Sequence, residues 1–215
     1  MEIDKYSITI TKTAKIVTYG KLSADTKVVW LVAHGYGFLA ENFIKRFRDL
    51  GENEHFVIVP EALNRFYING LSGKVGANWM TTEERESEIE DYIKYLDNVY
   101  EMFSLQNYKK LVVLGFSQGG ATVARWFQKT DYPVKILVFW GASIPDEVLE
   151  GDKIHQVEIY NILGNDDEFI TKEHLEIIMK KYLNVKLKFS QIFYKGGHNI
   201  LTEPLMQFIN LLKLS

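Results

Sequence analysis

The 215-residue sequence predicts an α/β protein built around a mostly parallel central sheet with helices on both faces. Two observations favour this class. Short, mostly apolar runs recur along the chain, as is typical of parallel strands that are buried on both faces. Helical patterns lie between these runs, and strands that alternate with helices form a parallel sheet. No repeat, low-complexity tract or linker divides the chain, so one domain over residues 1–215 is expected.

The N-terminal segment has a different pattern. Residues 6–10 and 14–19 alternate apolar and polar side chains. This alternation is typical of antiparallel strands with one buried face. The two segments are therefore predicted to form a hairpin, or a pair of antiparallel strands, at one edge of the sheet.

Six further strands are predicted from the apolar runs, at residues 28–33, 56–59, 111–114, 136–140, 157–163 and 187–194. Phe43, Phe47 and Leu50 mark one face of a short helix. Thr81 with Glu84 forms the pattern of a capping box, which predicts a long helix from there to residue 102. Two more helices are predicted, one from residue 171 and one over residues 203–214.

Composition excludes several function classes. The net charge of −3 offers no basic surface for nucleic acid or an anionic membrane. The absence of cysteine excludes disulfides, thiolate metal sites and a cysteine nucleophile. Neither a signal peptide nor an apolar run of membrane-spanning length, about 20 residues, is visible. We expect a cytoplasmic enzyme, a monomer or homodimer, that acts on a small molecule.

The candidate nucleophile lies in residues 115–119, Gly-Phe-Ser-Gln-Gly, which follow an apolar run and precede a helical pattern. In a G-x-S-x-G turn between a strand and a helix, the serine hydroxyl projects above the sheet. Gly115 and Gly119 flank Ser117 because a Cβ at either position would collide with the neighbouring strand or helix. Gln118 opens the helix, so its backbone N–H points at the reacting carbonyl.

A serine nucleophile requires a base, and three histidines follow Ser117 in the chain. His174 lies in a charged helical stretch and is predicted to be a surface residue. His155 precedes a strand, which is the wrong end for a site at the carboxyl edge of the sheet. His198 directly follows the last predicted strand, after two glycines, and is the predicted base.

The orienting acid should follow the preceding strand, where Asp166, Asp167 and Glu168 stand in one loop. The spacing alone does not separate Asp166 from Asp167. A weaker alternative is a carboxylate that follows the predicted strand at residues 136–140, namely Asp146, Glu147 or Asp152.

The loop after residue 33 reads His34-Gly35-Tyr36-Gly37 and is predicted to supply the second oxyanion donor, the Tyr36 N–H, with His34 bracing the loop. Residues 35–40 also match the dinucleotide fingerprint G-x-G-x-x-A, and Glu61 ends the next strand. An NAD-dependent oxidoreductase is therefore one alternative. It leaves Ser117 and His198 without a role.

The connection over residues 60–79 has no clear periodicity and carries the apolar residues Phe66, Tyr67, Ile68 and Leu71. Such long loops are often functional. We predict an apolar wall for an acyl or alcohol group there, with Trp79, Met80 and Phe38 as substrate-binding residues. The competing interpretation is that the aromatic side chains only pack the loop onto the body. Residues 140–156 are too few for a lid domain, so an open site for small or medium esters is expected.

Together, residues 34–37, residues 115–120, the Gly164-x-x-Asp167 loop and residues 196–198 resemble the phospholipase/carboxylesterase family of α/β-hydrolases, which includes acyl-protein thioesterases. The resemblance covers nearly the whole chain. It implies an α/β-hydrolase fold without a large lid, and a serine carboxylesterase that needs no cofactor or metal ion.

The family's acid loop, Gly-x-x-Asp-Pro-x-Val, aligns the acid with Asp167 and places Glu168 where proline is usual. The resemblance thus implies a Ser117–His198–Asp167 triad. The family's extension after His-Gly is replaced here by residues 36–39, so its substrate preference is not carried over. A non-catalytic ligand-binding protein of the hydrolase fold is the second alternative.

Overall fold

A computed structural model describes residue 1 and residues 3–214. Its strands are β1 (Ile16–Tyr19), β2 (Val28–Ala33), β3 (His55–Pro60), β4 (Asn64–Tyr67), β5 (Val75–Asn78), β6 (Leu111–Phe116), β7 (Ile136–Trp140), β8 (Glu158–Gly164) and β9 (Ser190–Tyr194). Seven of them form the central sheet in the order β1-β3-β2-β6-β7-β8-β9. Strand β1 runs antiparallel to β3, and the remaining pairs are parallel. The predicted fold class is confirmed.

The helices are α1 (Ala40–Phe43), α2 (Arg85–Met102), α3 (Gln118–Lys129), α4 (Asp146–Leu149), α5 (Lys172–Asn184) and α6 (Thr202–Leu214). One hydrophobic core packs α2, α3 and α5 against one face of the sheet, and a second packs α1 and α6 against the other face. Strand β2 supplies both cores, with Leu31 on the first side and Trp30 on the second. All six of its residues are buried, which explains the uninterrupted apolar run in the sequence.

The predicted N-terminal hairpin is wrong. Only Ile16–Tyr19 forms a strand, and it pairs with β3 rather than with residues 6–10. Residues 6–10 adopt no regular structure, and the side chain of Ile8 is 87% exposed. Alternating apolar residues stabilise a strand only where a core covers one of its faces, and no core covers this segment.

The predicted capping box is also wrong, because α2 begins at Arg85 rather than near Thr81. Glu84 adopts a left-handed backbone with φ of 47° immediately before the helix. The carboxylate that accepts the Thr81 N–H belongs to Glu88, one helical turn later. Residues 81–84 therefore form a turn that precedes the helix. The starts of the helices at residues 171 and 203 are confirmed to within one residue.

The connection after β3 contains a second, two-stranded sheet that the sequence pattern did not reveal. Strands β4 and β5 pair antiparallel, from Asn64 opposite Asn78 to Tyr67 opposite Val75. Phe38 forms a β-bridge with Ala77, so this hairpin lies against the loop that follows β2. Between β7 and β8 the chain forms only α4 and one 3-10 turn, and no lid domain is inserted there.

Candidate active site

Ser117 stands on a strained turn between β6 and α3. Its backbone has φ of 53° and ψ of −121°, a conformation that residues with a side chain rarely adopt. A Cβ on Gly115 would lie 2.3 Å from the carbonyl oxygen of Gly119, and a Cβ on Gly119 would lie 2.1 Å from that of Ala33. The two glycines thus allow the close approach of strand and helix that raises Ser117 above the sheet.

The loop after β2 lies directly against this serine. A Cβ built on Gly35 would be 3.1 Å from the Ser117 Cβ. The Gly37 N–H donates to the Ala77 carbonyl at 2.9 Å, and the Ala77 N–H donates to the Phe38 carbonyl at 3.3 Å. Strand β5 therefore holds the loop that carries Tyr36 in place beside Ser117.

Two backbone N–H groups next to Ser117 can serve as oxyanion donors. They belong to Tyr36 and to Gln118, the first residue of the twelve-residue helix α3. Within the part of the chain that the structure describes, neither N–H donates to a protein acceptor. The Gln118 N–H also lies at the positive end of the helix dipole, which favours a developing negative charge.

The side chain of Gln118 has a role that the sequence did not reveal. Its Oε1 accepts the Trp79 N–H at 3.1 Å, and its Nε2 donates to the Met80 carbonyl at 2.9 Å. The amide thus fastens residues 79–80 to the start of α3. The sequence does not predict this contact, because Gln118 occupies a variable position of the G-x-S-x-G motif.

His198 and Asp167 lie together on the loops that follow β9 and β8. The Nδ1 of His198 is 2.7 Å from Oδ2 of Asp167, whose side chain is fully buried. The other oxygen, Oδ1, accepts the N–H groups of Phe169 at 2.9 Å and Ile170 at 3.0 Å. Asp166 is exposed, so the carboxylate that faces the imidazole is that of Asp167. This contact favours the tautomer with a proton on Nδ1, which leaves Nε2 free to act as a base.

The His198 imidazole is enclosed by two aromatic rings and one glycine. Its centroid lies 4.8 Å from that of Phe116 and 4.7 Å from that of Phe169. A Cβ on Gly141 would lie 2.9 Å from Cε1 of the imidazole. Gly141 has φ of 55° and follows β7, which places it under the ring. The sequence does not single out Gly141, because a single glycine after a strand has no specific pattern.

His34 braces the loop, as its position predicts. The buried imidazole contacts the Gly35 carbonyl through Nδ1 at 2.8 Å, and its Nε2 accepts the Ala62 N–H at 3.0 Å. Burial lowers the pKa of His34 to about 4, so the ring is neutral near pH 7. His155 lies in a 3-10 turn before β8, and His174 is exposed on α5.

The dinucleotide interpretation of residues 35–40 does not fit the structure. The Glu61 carboxylate, which would hold a ribose, is buried, accepts the Ala40 N–H at 3.0 Å and pairs with Arg65. The helix that would receive the pyrophosphate, α1, has only four residues. A dinucleotide site needs a longer helix and an acid that is free to bind the ribose.

The structure corrects the prediction that Trp79 lines the substrate site. Its side chain is 1% exposed, and the indole N–H donates to the His34 carbonyl at 2.8 Å. Met80 packs partly buried, with its sulfur 3.6 Å from the Arg125 guanidinium. Phe38 packs against Phe116, behind His198. Sequence does not distinguish an aromatic residue that fills the core from one that faces a substrate.

An exposed apolar surface lies next to these residues. Tyr36 is 58% exposed, and its ring packs against Phe66 of β4 at 5.0 Å between centroids. Ile68 approaches from the same hairpin, since a Cβ on Gly37 would lie 3.9 Å from its Cδ1. We call Tyr36, Phe66 and Ile68 the aromatic shelf.

Among residue 1 and residues 3–214, which the structure describes, no group of three or more histidine, aspartate or glutamate side chains is arranged to hold a metal ion. No helix within them has the length and apolar character that crossing a membrane requires.

Solved structures with this fold include several esterases. The esterase PE8 is 19% identical with a TM-score of 0.70, over 94% of this chain and 99% of that one. The acyl-protein thioesterase 2 of Zea mays is 16% identical with a TM-score of 0.68, over 94% and 99%. A phospholipase/carboxylesterase from Dyadobacter fermentans DSM 18053 is 17% identical with a TM-score of 0.63, over 96% and 99%.

No curated protein sequence matches the chain. A family model, that of the dienelactone hydrolases, matches residues 15–203. The match covers most of the chain and includes Ser117, Asp167 and His198. The resemblance to esterases of the α/β-hydrolase fold is thereby confirmed, and the chain belongs to the dienelactone hydrolase family.

Proposed function

We propose that this protein is a serine hydrolase that cleaves carboxylic ester or thioester bonds of small to medium acyl substrates. The observation that supports this most strongly is the 2.7 Å contact between His198 and Asp167, at the same edge of the sheet as the strained Ser117. Strained backbone of this kind clusters at active sites. Action in the cytoplasm, as a monomer or homodimer, stays a prediction from the sequence.

In the proposed reaction, Ser117 Oγ attacks the substrate carbonyl while Nε2 of His198 takes the hydroxyl proton. The N–H groups of Tyr36 and Gln118 hold the oxyanion. Collapse of the tetrahedral intermediate breaks the ester bond, and the alcohol or thiol leaves with the proton from His198. Water, deprotonated by His198, then attacks the acyl-enzyme and releases the carboxylic acid and Ser117. Asp167 stabilises the imidazolium in both halves, and this sequence of steps uses no cofactor.

A fluorophosphonate probe tests this proposal directly, because it reacts with activated serines. We expect the native protein to take up about one equivalent, on the peptide that contains Ser117, as read by mass spectrometry. Protein denatured before the probe is added is the control and should stay unlabelled. A native protein that takes up no probe would instead be the non-catalytic ligand-binding protein of the second alternative.

The sheet order also suggests where each half of the substrate lies. The leaving group must face His198, which protonates it and which follows β9, at one end of the sheet. The aromatic shelf lies on the other side of Ser117, on the loops that follow β2 and β3. We therefore propose that the acyl group packs against the shelf.

This placement predicts that Phe66→Ala changes chain-length preference. Each methylene buried on an apolar surface contributes about 0.8 kcal/mol. We expect kcat/KM for p-nitrophenyl hexanoate to fall roughly tenfold, and that for the acetate to fall less than about twofold. Tyr67→Ala is the matched control, because Tyr67 is 49% exposed on the opposite face of β4 and should leave both rates unchanged.

Trp79→Ala provides the contrast for this experiment. Removing a fully buried indole costs about 3–5 kcal/mol of stability, so the Tm should fall and all esters should lose activity alike. If Phe66→Ala also gives equal losses for acetate and hexanoate, the acyl group does not lie on the shelf.

A further inference from the structure

A second carboxylate reaches the loop of His198. Oε2 of Glu168 lies 3.2 Å from the backbone N of His198 and accepts its N–H. A Cβ built on Gly197 would lie 3.2 Å from the same oxygen, so the side chain lies along the peptide that joins residues 197 and 198. Glu168 itself is exposed, unlike its neighbour Asp167.

This peptide is held at both of its polar groups. The Gly197 carbonyl, at one edge of the peptide, accepts the Asn199 N–H at 2.8 Å and lies 3.0 Å from the Tyr194 hydroxyl, which also contacts the Asn199 carbonyl. Glu168 accepts the His198 N–H at the opposite edge. These contacts together set the orientation of the peptide plane and hence the backbone angle from which the imidazole projects.

The segment before His198 has little rigidity of its own. Gly196 has φ of 156°, and neither it nor Gly197 has a side chain that packs. After His198 the chain is firmly attached, because the Asn199 carbonyl accepts the Trp140 indole N–H at 3.1 Å. Control of the imidazole position therefore depends on the contacts before it.

We propose that Glu168 is a positioning residue for His198, and the inference rests on the proposed function. Its carboxylate oxygen, acting as an acceptor, keeps the imidazole where Nδ1 meets Asp167 and Nε2 serves Ser117. Glu168 contacts neither the reacting atoms nor the ring. Its effect therefore falls on kcat, while substrate binding is unchanged.

The test compares four proteins with p-nitrophenyl acetate: wild type, Glu168→Ala, Glu168→Gln and Asp166→Ala. Displacing a catalytic group by a fraction of an ångström is costly, so Glu168→Ala should lower kcat about tenfold with KM unchanged. Glu168→Gln keeps an acceptor oxygen and should restore kcat to within about twofold of wild type. Asp166→Ala removes an exposed carboxylate from the same loop and should behave as wild type.

The outcomes separate the two proposals. A wild-type protein without esterase activity or probe labelling defeats the proposed function. With an active wild type, the inference on Glu168 is overturned by an unchanged kcat in Glu168→Ala, by a loss confined to KM, by failure of glutamine to restore kcat, or by an equal loss in Asp166→Ala. Tm is measured for every variant. If Glu168→Ala does not fold, Glu168→Met removes the acceptor at similar length and takes its place.

Discussion

Ser117→Ala is expected to lower the turnover of short p-nitrophenyl esters by about 10⁴-fold or more and to abolish fluorophosphonate labelling. In the proposed mechanism the Ser117 hydroxyl oxygen forms the acyl-enzyme, and no other group on this turn can replace it. Alanine keeps the backbone conformation and removes one oxygen, so the Tm should stay within about 3 °C of wild type.

Ser104→Ala is the matched control for this variant. Ser104 also has a positive φ, of 50°, although its ψ of 49° differs from the −121° of Ser117, and it precedes β6 whereas Ser117 follows β6. The same substitution at this second serine should leave turnover and labelling intact. Substantial esterase activity in purified Ser117→Ala would refute the assignment of the nucleophile.

Asp167→Asn should lower kcat by roughly 10²- to 10⁴-fold. The structure explains the direction of the effect. Oδ1 is held by the N–H groups of Phe169 and Ile170, so an asparagine keeps its oxygen there and turns its NH₂ toward His198. Nδ1 of His198 must then accept, which places the proton on Nε2 and removes the base.

Asp166→Asn is the control, because the exposed carboxylate of Asp166 does not face the imidazole. This substitution should lower kcat by less than about tenfold. Both variants are measured with p-nitrophenyl butyrate, with thermal melts on the same samples. A large loss in Asp166→Asn beside a small loss in Asp167→Asn would make Asp166 the acid and displace the loop alignment by one residue.

Local patterns predicted most of the sheet and the helices. The buried strands β2, β3, β6, β7 and β8 are encoded as apolar runs because helices cover both faces of the sheet, which leaves these strands without a polar side. The pattern did not reveal the β4–β5 hairpin because each strand has only four residues and one of the eight is a glycine. The strand predicted over residues 6–10 was wrong because these residues alternate apolar and polar side chains although no core covers them.

The sequence by itself determined the turn at Ser117 between strand and helix and the place of the candidate base, because the glycines around Ser117 and before His198 are needed for local backbone geometry. Only the tertiary structure decided which carboxylate faces His198, that Trp79 fills the core, and that Glu168 reaches the His198 N–H. These contacts join residues 30 or more positions apart in the chain. Spacing along the chain specifies backbone turns, whereas the direction of a side chain across two loops depends on how the sheet brings those loops together.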